Sequence, residues 1–583
     1  MTVREKLWKH AESESFDLIV VGGGIIGCGA ARDAALRGLK VALIEAVDLA
    51  SGTSSRSSKL VHGGLRYLEQ LQFGLVFESV SERQVLQQIA PHLVHPLGFL
   101  FPIYDHSPVS LSKLRLGLMV YDGMSLFRSP KVHRYLNRRK MIDQTPVLSE
   151  DALQGGPLYY DCMTDDARLT LETALDAEKA GATVVTHARV QRFLRDDGGR
   201  ITGVRVADNL GPSEAERVID VRGAAVLNAT GPWTDSVRGS EGPPLLRTTK
   251  GVHIVVQSSR LPLEHTVVVL HPDDGRVMFV IPWGTETYIG TTDTDYDGDP
   301  RDVAADGEDI RYLLEAVNAY FPTVDVVPDD VICTWAGLRP LIRQEGMDES
   351  AVSREHKILV DDDGLITIAG GKLTTYRRMG DEVIDTVVGE MKKAGHAPAE
   401  LRVIHTDREA LLGAVGWPEG DALPQLTALI DEACDGRLDD DVIAHMASRY
   451  GMRAVELARY TIADQARMER LVPGRPELMA LVDWAVEFEL ACTVSDVMTR
   501  RTQLYFRDID QGLGVLDRVG ARMQHLLGWT DEERAFFSEE YTEEVALSRR
   551  WQGEHADAVV AHAAAQAATL RPLEAAPPAA EAG

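Results

Sequence analysis

Residues 16–27 read FDLIVVGGGIIG, and the architecture of the chain follows from them. Phe16 to Val21 is an unbroken apolar run rich in β-branched residues, the mark of a strand buried on both faces of a parallel sheet. Gly22, Gly24 and Gly27 follow in GxGxxG spacing, then a helix-like stretch ARDAALRGLK and a second short strand, Val41 to Ile44, ending at Glu45. In such a βαβ unit the glycines let the backbone approach a pyrophosphate at a helix N-terminus. The acidic residue about twenty positions on takes the ribose hydroxyls. Dinucleotide binding by Gly22, Gly24, Gly27 and Glu45 is the first expectation.

Two distant segments choose between cofactors. Ala224 to Gly231 (AAVLNATG) is a strand ending in glycine, and Leu365 to Tyr376 (LITIAGGKLTTY) is a strand running into Gly370 and Gly371 and then a threonine-rich helix start. In two-dinucleotide-binding flavoproteins a late glycine pair of this kind lets a helix N-terminus approach the flavin, where its dipole stabilises negative charge on the reduced ring. The order of the three segments favours FAD, with Gly231, Gly371, Leu373 and Thr374 among its ligands.

Behind Glu45 the loop DLASGTSSRSSKLVHGGLRYLE is placed to cross the diphosphate and the flavin ring. Its serines and backbone amides can donate to phosphate and ring oxygens, and its paired glycines allow a close approach. Thr53, Ser54, Ser58, Lys59, Leu60, His62, Gly63 and Gly64 are the candidates there.

Composition bounds the rest. The chain has 583 residues, 44% hydrophobic and 26% charged, enough for two or three domains with their own cores. A net charge of −28 argues against nucleic-acid binding through phosphate neutralisation, so any anion site must be local. Five scattered cysteines without CxxC spacing argue against a zinc site or a disulfide framework and for a reducing compartment; no metal site is expected. The N-terminal residues lack the apolar core of a signal peptide, and no run reaches the length that spans a bilayer.

In this order, KLVHGGLRYLE, LNATGPW, KGVHIVV, FVIPW with IGTTDTDYDGDP, AGLRPL and GGKLTTYR resemble the FAD-dependent glycerol-3-phosphate dehydrogenase family over roughly residues 16–390. The resemblance implies oxidation of sn-glycerol 3-phosphate to dihydroxyacetone phosphate by hydride transfer from C2 to flavin N5, with electrons passed to a membrane quinone. It also implies a cytoplasmic protein peripheral on the inner face of the cell membrane, and leaves a homodimer open. It places Arg66, Tyr67, His253, Arg339, Arg354 and Lys372 around the substrate, with His253, Arg339 and Lys372 catalytic. Physical chemistry agrees in outline: a dianionic phosphate wants convergent cations, and a base for the C2 hydroxyl wants a pKa near 7, which suits His253. Arg339, always protonated, would orient the hydroxyl and stabilise the forming negative charge. His62 is read as holding the loop against the flavin, with a covalent flavin link through it left open. An oxidase using O₂, another FAD-dependent amine or hydroxy-acid oxidase, and an inert flavin-binding interaction protein are the alternatives.

The expected fold is α/β: a two-dinucleotide-binding-type FAD domain (about 16–84, 151–245 and 350–398), a mixed-sheet substrate domain (about 85–150 and 246–349) and a C-terminal helical cap domain (399–555). A short extension (1–15) precedes them and a largely disordered tail (556–583) follows. An antiparallel excursion is expected between Thr183 and Val221. In the C-terminal part Pro476 reads as a first helical residue and Thr530 with Glu533 as a capping box. Residues 110–142 carry eight Lys/Arg and one acidic residue, Asp122. Leu111, Leu114, Leu118 and Tyr121 recur there at helical spacing, an amphipathic segment expected to bury those side chains on an anionic lipid surface, unless it packs into the protein instead.

Overall fold

The computed structural model describes residues 3–64, 72–124, 131–212, 217–239, 243–343 and 356–553. The opening run forms the strand Ser15–Val21, the helix Ile25–Arg37 follows the glycines, and the second strand is Val41–Ile44. These strands pair in parallel, and Ser15–Val21 also pairs in parallel with Val218–Asn228, which pairs with Leu365–Gly370. Thr183–Val185 closes the far edge beside Val41–Ile44.

Alternation explains why the first strand is apolar from Leu18 to Val21. Leu18 and Val20 face a cluster built with the helices Ile25–Arg37, Asp166–Lys179 and Tyr376–Ala394, whereas Ile19 and Val21 face one that includes Trp8 of the helix Val3–Ser13. The second cluster also takes in the antiparallel excursion, Ala188–Arg195 and Ile201–Asp208, which pairs onto Val218–Asn228.

A second sheet of eleven strands holds Leu246–Gln257 between Glu286–Gly290 and Val331–Ile342, all antiparallel, and extends through Val277–Trp283 and Thr266–Leu270 to His95–Leu100 and Leu153–Met163. The strand Leu153–Met163, grouped with the FAD-binding parts in the sequence reading, thus runs in this second sheet. It also receives the short strand Leu60–Val61 of the cofactor loop. One face of the sheet packs on the helix Gly307–Tyr320 through Ile310, Leu313 and Val317. The other face packs on C-terminal residues, among them Val497, Met498, Leu504 and Phe506.

Beyond residue 400 the chain is helical, with Ala422–Ala433, Asp440–Tyr450, Ala454–Ile462, Met479–Phe488, Leu516–Leu527 and Asp531–Ser548. The Thr530 capping box is formed, its hydroxyl accepting from the Glu533 amide at 3.1 Å and Glu533 accepting from the Thr530 amide at 2.7 Å. Pro476 is not a first helical residue. The backbone there is tied into a small hairpin, the Leu471 amide donating to the Glu477 carbonyl and the Met479 amide to the Glu469 carbonyl, so the helix starts at Met479.

The helical domain grips the first sheet through buried charge. Asp48, in the loop after Val41–Ile44, is paired with Arg500 and Arg501, and Asp496 accepts from Arg500 at 2.8 Å and sits 3.0 Å from His187 Nε2. Arg168 donates to Glu489 at 2.7 Å, both fully buried. All five cysteines are buried free thiols. No helix among the described residues is long and apolar enough to cross a membrane.

Candidate active site

The glycine turn is built to be bare. Gly22 has φ +110°, and a Cβ there would lie 2.7 Å from the Ala229 carbonyl oxygen; one on Gly27 would lie 1.9 Å from the Gly22 carbonyl oxygen. Gly24 precedes the helix Ile25–Arg37, and the nearest atom to a Cβ on it is Ser54 Oγ at 3.3 Å. Gly231, at φ +55°, faces open space. Glu45 accepts from the Gly23 amide at 2.6 Å and the Val47 amide at 2.9 Å, which fixes its carboxylate beside the turn; burial pushes its pKa up and the two amides pull it back. A helix N-terminus behind a turn without side chains, with a fixed carboxylate alongside, fits the diphosphate and ribose of FAD.

The loop after Glu45 is pinned from both sides. Ser54 Oγ accepts from the Ile25 amide at 2.9 Å, capping the helix, and Thr53 Oγ1 donates to the Leu338 carbonyl at 2.7 Å on the second sheet. Lys59, at φ +53°, is turned into the protein: its ammonium donates to Asp166 at 2.7 Å and to the Ser55 carbonyl at 3.1 Å, and lies within 5.7 Å of the rings of Trp283, Trp335 and Phe506. Its side chain therefore serves the loop's anchorage. Asp166 also accepts from the Ser57 amide and hydroxyl.

Leu60 is buried in the short strand. The His62 amide donates to Thr374 Oγ1 at 3.3 Å, joining the loop to the turn Leu373–Thr375, and the His62 ring meets Phe279 edge-on at 6.5 Å. Gly63 makes its close approach to the protein: a Cβ would lie 2.3 Å from the Tyr121 hydroxyl, which accepts from the Gly63 amide at 3.0 Å. The reason is a buried network, Arg83 and Tyr121 both donating to Asp161, which draws that backbone inward. Gly64 adopts φ +71°. Gly371 adopts φ +93° with Met379 against the space a Cβ would need, and Lys372 follows it at the head of the turn, its Nζ shielded from solvent.

The second sheet supplies a row of side chains on one face. Trp335 pairs with His253, His253 with Gly290, and Gly290 with Phe279 across four neighbouring strands, so their side chains share a face. Gly290 is empty because the imidazole lies over it; a Cβ would sit 2.1 Å from His253 Cδ2. The ring stacks on Trp335 at 4.8 Å and 12°, and Nε2 is 2.9 Å from Ser58 Oγ. Nδ1 is buried and has no hydrogen-bond partner among the described residues. Burial, then Arg339, then Lys59 hold the His253 pKa well below its ordinary 6.5, so the ring is neutral at pH 7.

Arg339 lies two pairs further along, its guanidinium over Gly251, and is held by Asp293 at 2.9 Å, Thr291 Oγ1 at 3.1 Å and the Thr292 carbonyl at 3.2 Å. Lys250 is spent on Asp306 and Asp309 at 2.7 and 2.6 Å. The geometry thus brings His253 and Arg339 onto one face; the His62 ring meets Phe279 of that face, the His62 amide reaches Thr374, and Lys372 heads the turn that holds Thr374. Arg66, Tyr67 and Arg354 lie outside the described residues.

Sequence reasoning missed Trp335, Asp293, Asp166 and Phe506. The first two sit inside or directly before the quoted motifs, in TWAGLRPL and IGTTDTDYDGDP, and an aromatic or carboxylate beside a motif cation was the available signal. Elsewhere, His271, Asp273 and Glu315 bring three metal-capable atoms within 4.8 Å of one another. Two of these groups already have protein partners, the Asp273 amide donating to His271 Nδ1 at 3.2 Å and Arg311 to the Glu315 carboxylate at 2.8 Å.

Comparison with known proteins agrees with this geometry. Residues 17–377 match the family model described as FAD dependent oxidoreductase, and residues 404–534 the model described as C-terminal domain of alpha-glycerophosphate oxidase. The chain is 36% identical over 561 residues to the aerobic glycerol-3-phosphate dehydrogenase of Staphylococcus saprophyticus, covering 95% of this chain and 98% of that one. It is 35% identical over 564 residues to the enzyme of the same name from Staphylococcus aureus, at the same coverage of 95% and 98%. The X-ray structure of the glycerol-3-phosphate dehydrogenase from Bacillus halodurans complexed with FAD superposes with a TM-score of 0.77 at 32% identity, covering 93% of this chain and 97% of that one. With the cofactor cradle, the loop and the helical domain all accounted for, the chain belongs to the FAD-dependent, aerobic glycerol-3-phosphate dehydrogenase family.

Proposed function

We propose that this protein oxidises sn-glycerol 3-phosphate to dihydroxyacetone phosphate and passes the electrons to a membrane quinone, with His253 as the base. The observation that carries the reading is a buried imidazole, held neutral, whose Nδ1 has no hydrogen-bond partner among the described residues and which shares a sheet face with Arg339. The FAD, when bound, supplies the two-electron acceptor for the carbon being oxidised. With Nε2–H donating to Ser58 Oγ, Nδ1 is left to take the C2 hydroxyl proton. Arg339, anchored by Asp293, orients that oxygen and stabilises the charge it gains. Lys372 neutralises part of the substrate phosphate, a role shared with Arg66 and Arg354, while Tyr67 donates a hydrogen bond to the substrate. Anaerobic mixing with glycerol 3-phosphate should bleach the flavin; an unbleached flavin would refute the substrate. Turnover with a soluble quinone analogue should exceed turnover with O₂, and the reverse order would make the protein an oxidase.

The membrane face is proposed on the helix Leu111–Met124, by residues other than those the periodicity suggested. Leu114, Leu118 and Tyr121 face the protein interior. They are held by the clusters that line the second sheet and the helix Phe73–Ile89, through Val76 and Val80. The opposite side leaves Leu116 at 65% and Met119 at 64% exposure, with Phe73 and Phe77 about half exposed nearby. Leu126 and Phe127 lie outside the described residues. Exposed apolar side chains beside Lys113, Arg115, Arg134, Arg138, Arg139 and Lys140 suit the headgroup boundary of an anionic membrane, where a lipid-soluble quinone is reached. Changing Arg134, Arg138, Arg139 and Lys140 to Glu should abolish sedimentation with anionic liposomes and spare turnover with a water-soluble acceptor. Sedimentation that survives would remove this face.

A further inference from the structure

We propose that the C-terminal helical domain completes the active site, with Phe506 acting as a positioning residue for His253 through Trp335. The inference rests on the reading of His253 as the base.

The chain of contact is short. His253 stacks on Trp335 at 4.8 Å, and Phe506, 1% exposed in the short helix Leu504–Arg507, meets Trp335 edge-on at 5.5 Å. Phe506 also covers the buried Lys59 ammonium at 5.0 Å, which Asp166 balances. The same domain holds the two residues that precede Trp335. Thr334 Oγ1 donates to the Ser548 carbonyl at 2.7 Å, and Gln511 Nε2 lies 3.5 Å from Cys333 Sγ. Arg507 donates to Glu286 at 2.7 Å and lies over Trp283 at 4.9 Å. Three consecutive residues of the strand Val331–Ile342, Cys333, Thr334 and Trp335, are therefore set from the helical domain, and Arg339 follows on the same face.

A proton acceptor works only within a narrow range of placements, and a displacement near 1 Å caused by a remote substitution can cost on the order of a hundredfold in rate. Among the described residues Ser58 Oγ is the hydrogen-bond partner of the His253 ring, so its tilt is governed by the indole beneath it. The charged and titratable groups facing it are Arg339, balanced by Asp293, and Lys59, balanced by Asp166, with Tyr288 at 6.2 Å. Truncating Phe506 opens a cavity beside an ammonium, which is polar enough to admit water. Water there loosens Trp335, screens Lys59 and relieves the burial of His253, so the imidazole becomes easier to protonate.

The test uses the full-length FAD-loaded enzyme with a soluble acceptor, comparing Phe506→Ala, Phe506→Leu and His253→Asn. For Phe506→Ala we expect full flavin content, KM within about twofold, kcat lower by about ten- to a hundredfold, and an acid limb of the pH profile moved to higher pH. Phe506→Leu, which keeps most of the volume, should fall between this variant and the native enzyme in both respects. An acid limb that stays in place in the Ala variant overturns the proposal, whatever happens to kcat. If the Ala variant fails to retain FAD, the Leu variant decides by the same criterion. Native turnover in His253→Asn would sink the base assignment itself; loss of turnover there, with Phe506→Ala unchanged, would sink only the brace.

Discussion

In the first sheet the residues proposed to meet the cofactor have almost no side chains: Gly22, Gly24, Gly27 and Gly231 form a bare turn and helix end, and the Glu45 carboxylate is fixed by amides. In the second sheet Gly251 and Gly290 serve as floor for side chains that lie over them, the Arg339 guanidinium and the His253 ring. The contrast separates two kinds of failure. Added atoms in the first sheet should expel the cofactor, whereas removed atoms in the second should slow the reaction on a cofactor that stays bound.

The separation is broken or sharpened by four measurements. Gly27→Ala puts a methyl 1.9 Å from a backbone oxygen, which no side chain can yield to, so flavin absorbance should disappear from the purified protein. A variant retaining full flavin would break the comparison. His253→Ala should keep the flavin and lower kcat by about 10²- to 10⁴-fold in steady-state assays. Loss of flavin along with turnover would merge the two sheets into one functional unit. Asp293→Ala removes one of the contacts that aim Arg339, and should lower kcat by about ten- to a hundredfold with flavin content unchanged. The smallest effect concerns pH. As the proposed base, His253 would act unprotonated, and its pKa is held below 6.5 by burial and two cations, so kcat/KM should hold steady as pH falls through 6.5 and decline only beyond it. A decline centred at or above 6.5 would mean that another group sets the acid limb.

The first sheet was legible in the sequence because its function is local. Strand, glycine turn, helix and second strand occupy thirty consecutive positions, and each carries its own signal: β-branched residues, positive φ and a terminal carboxylate. The motifs also marked His253, Arg339 and Lys372. What could not be read was the row Trp335, His253, Gly290, Phe279, because it exists only once four strands spread over residues 246–342 adopt a common register. The partner of the Lys59 side chain was hidden for a related reason. Asp166, more than a hundred residues away, comes within reach of its ammonium only in the fold. For the helix Leu111–Met124 the periodicity was real, but the same pattern serves protein core and lipid, and Tyr121 is claimed by Asp161.

Asp48 lies three residues beyond Glu45, and the two arginines that balance it come from residues 500 and 501. Arg168, on a helix against the first sheet, likewise finds its carboxylate at Glu489. A chain cut near residue 400 would retain the whole glycine cradle yet lose the counter-charges of two interior groups. Stripping one partner from a buried pair costs about 3–5 kcal/mol, and two such losses rival the entire stability of an ordinary domain. The flavin-binding portion is consequently a poor candidate for transplantation as a free-standing module. Engineers wishing to use it alone would first have to replace Asp48 and Arg168 with neutral side chains of similar volume.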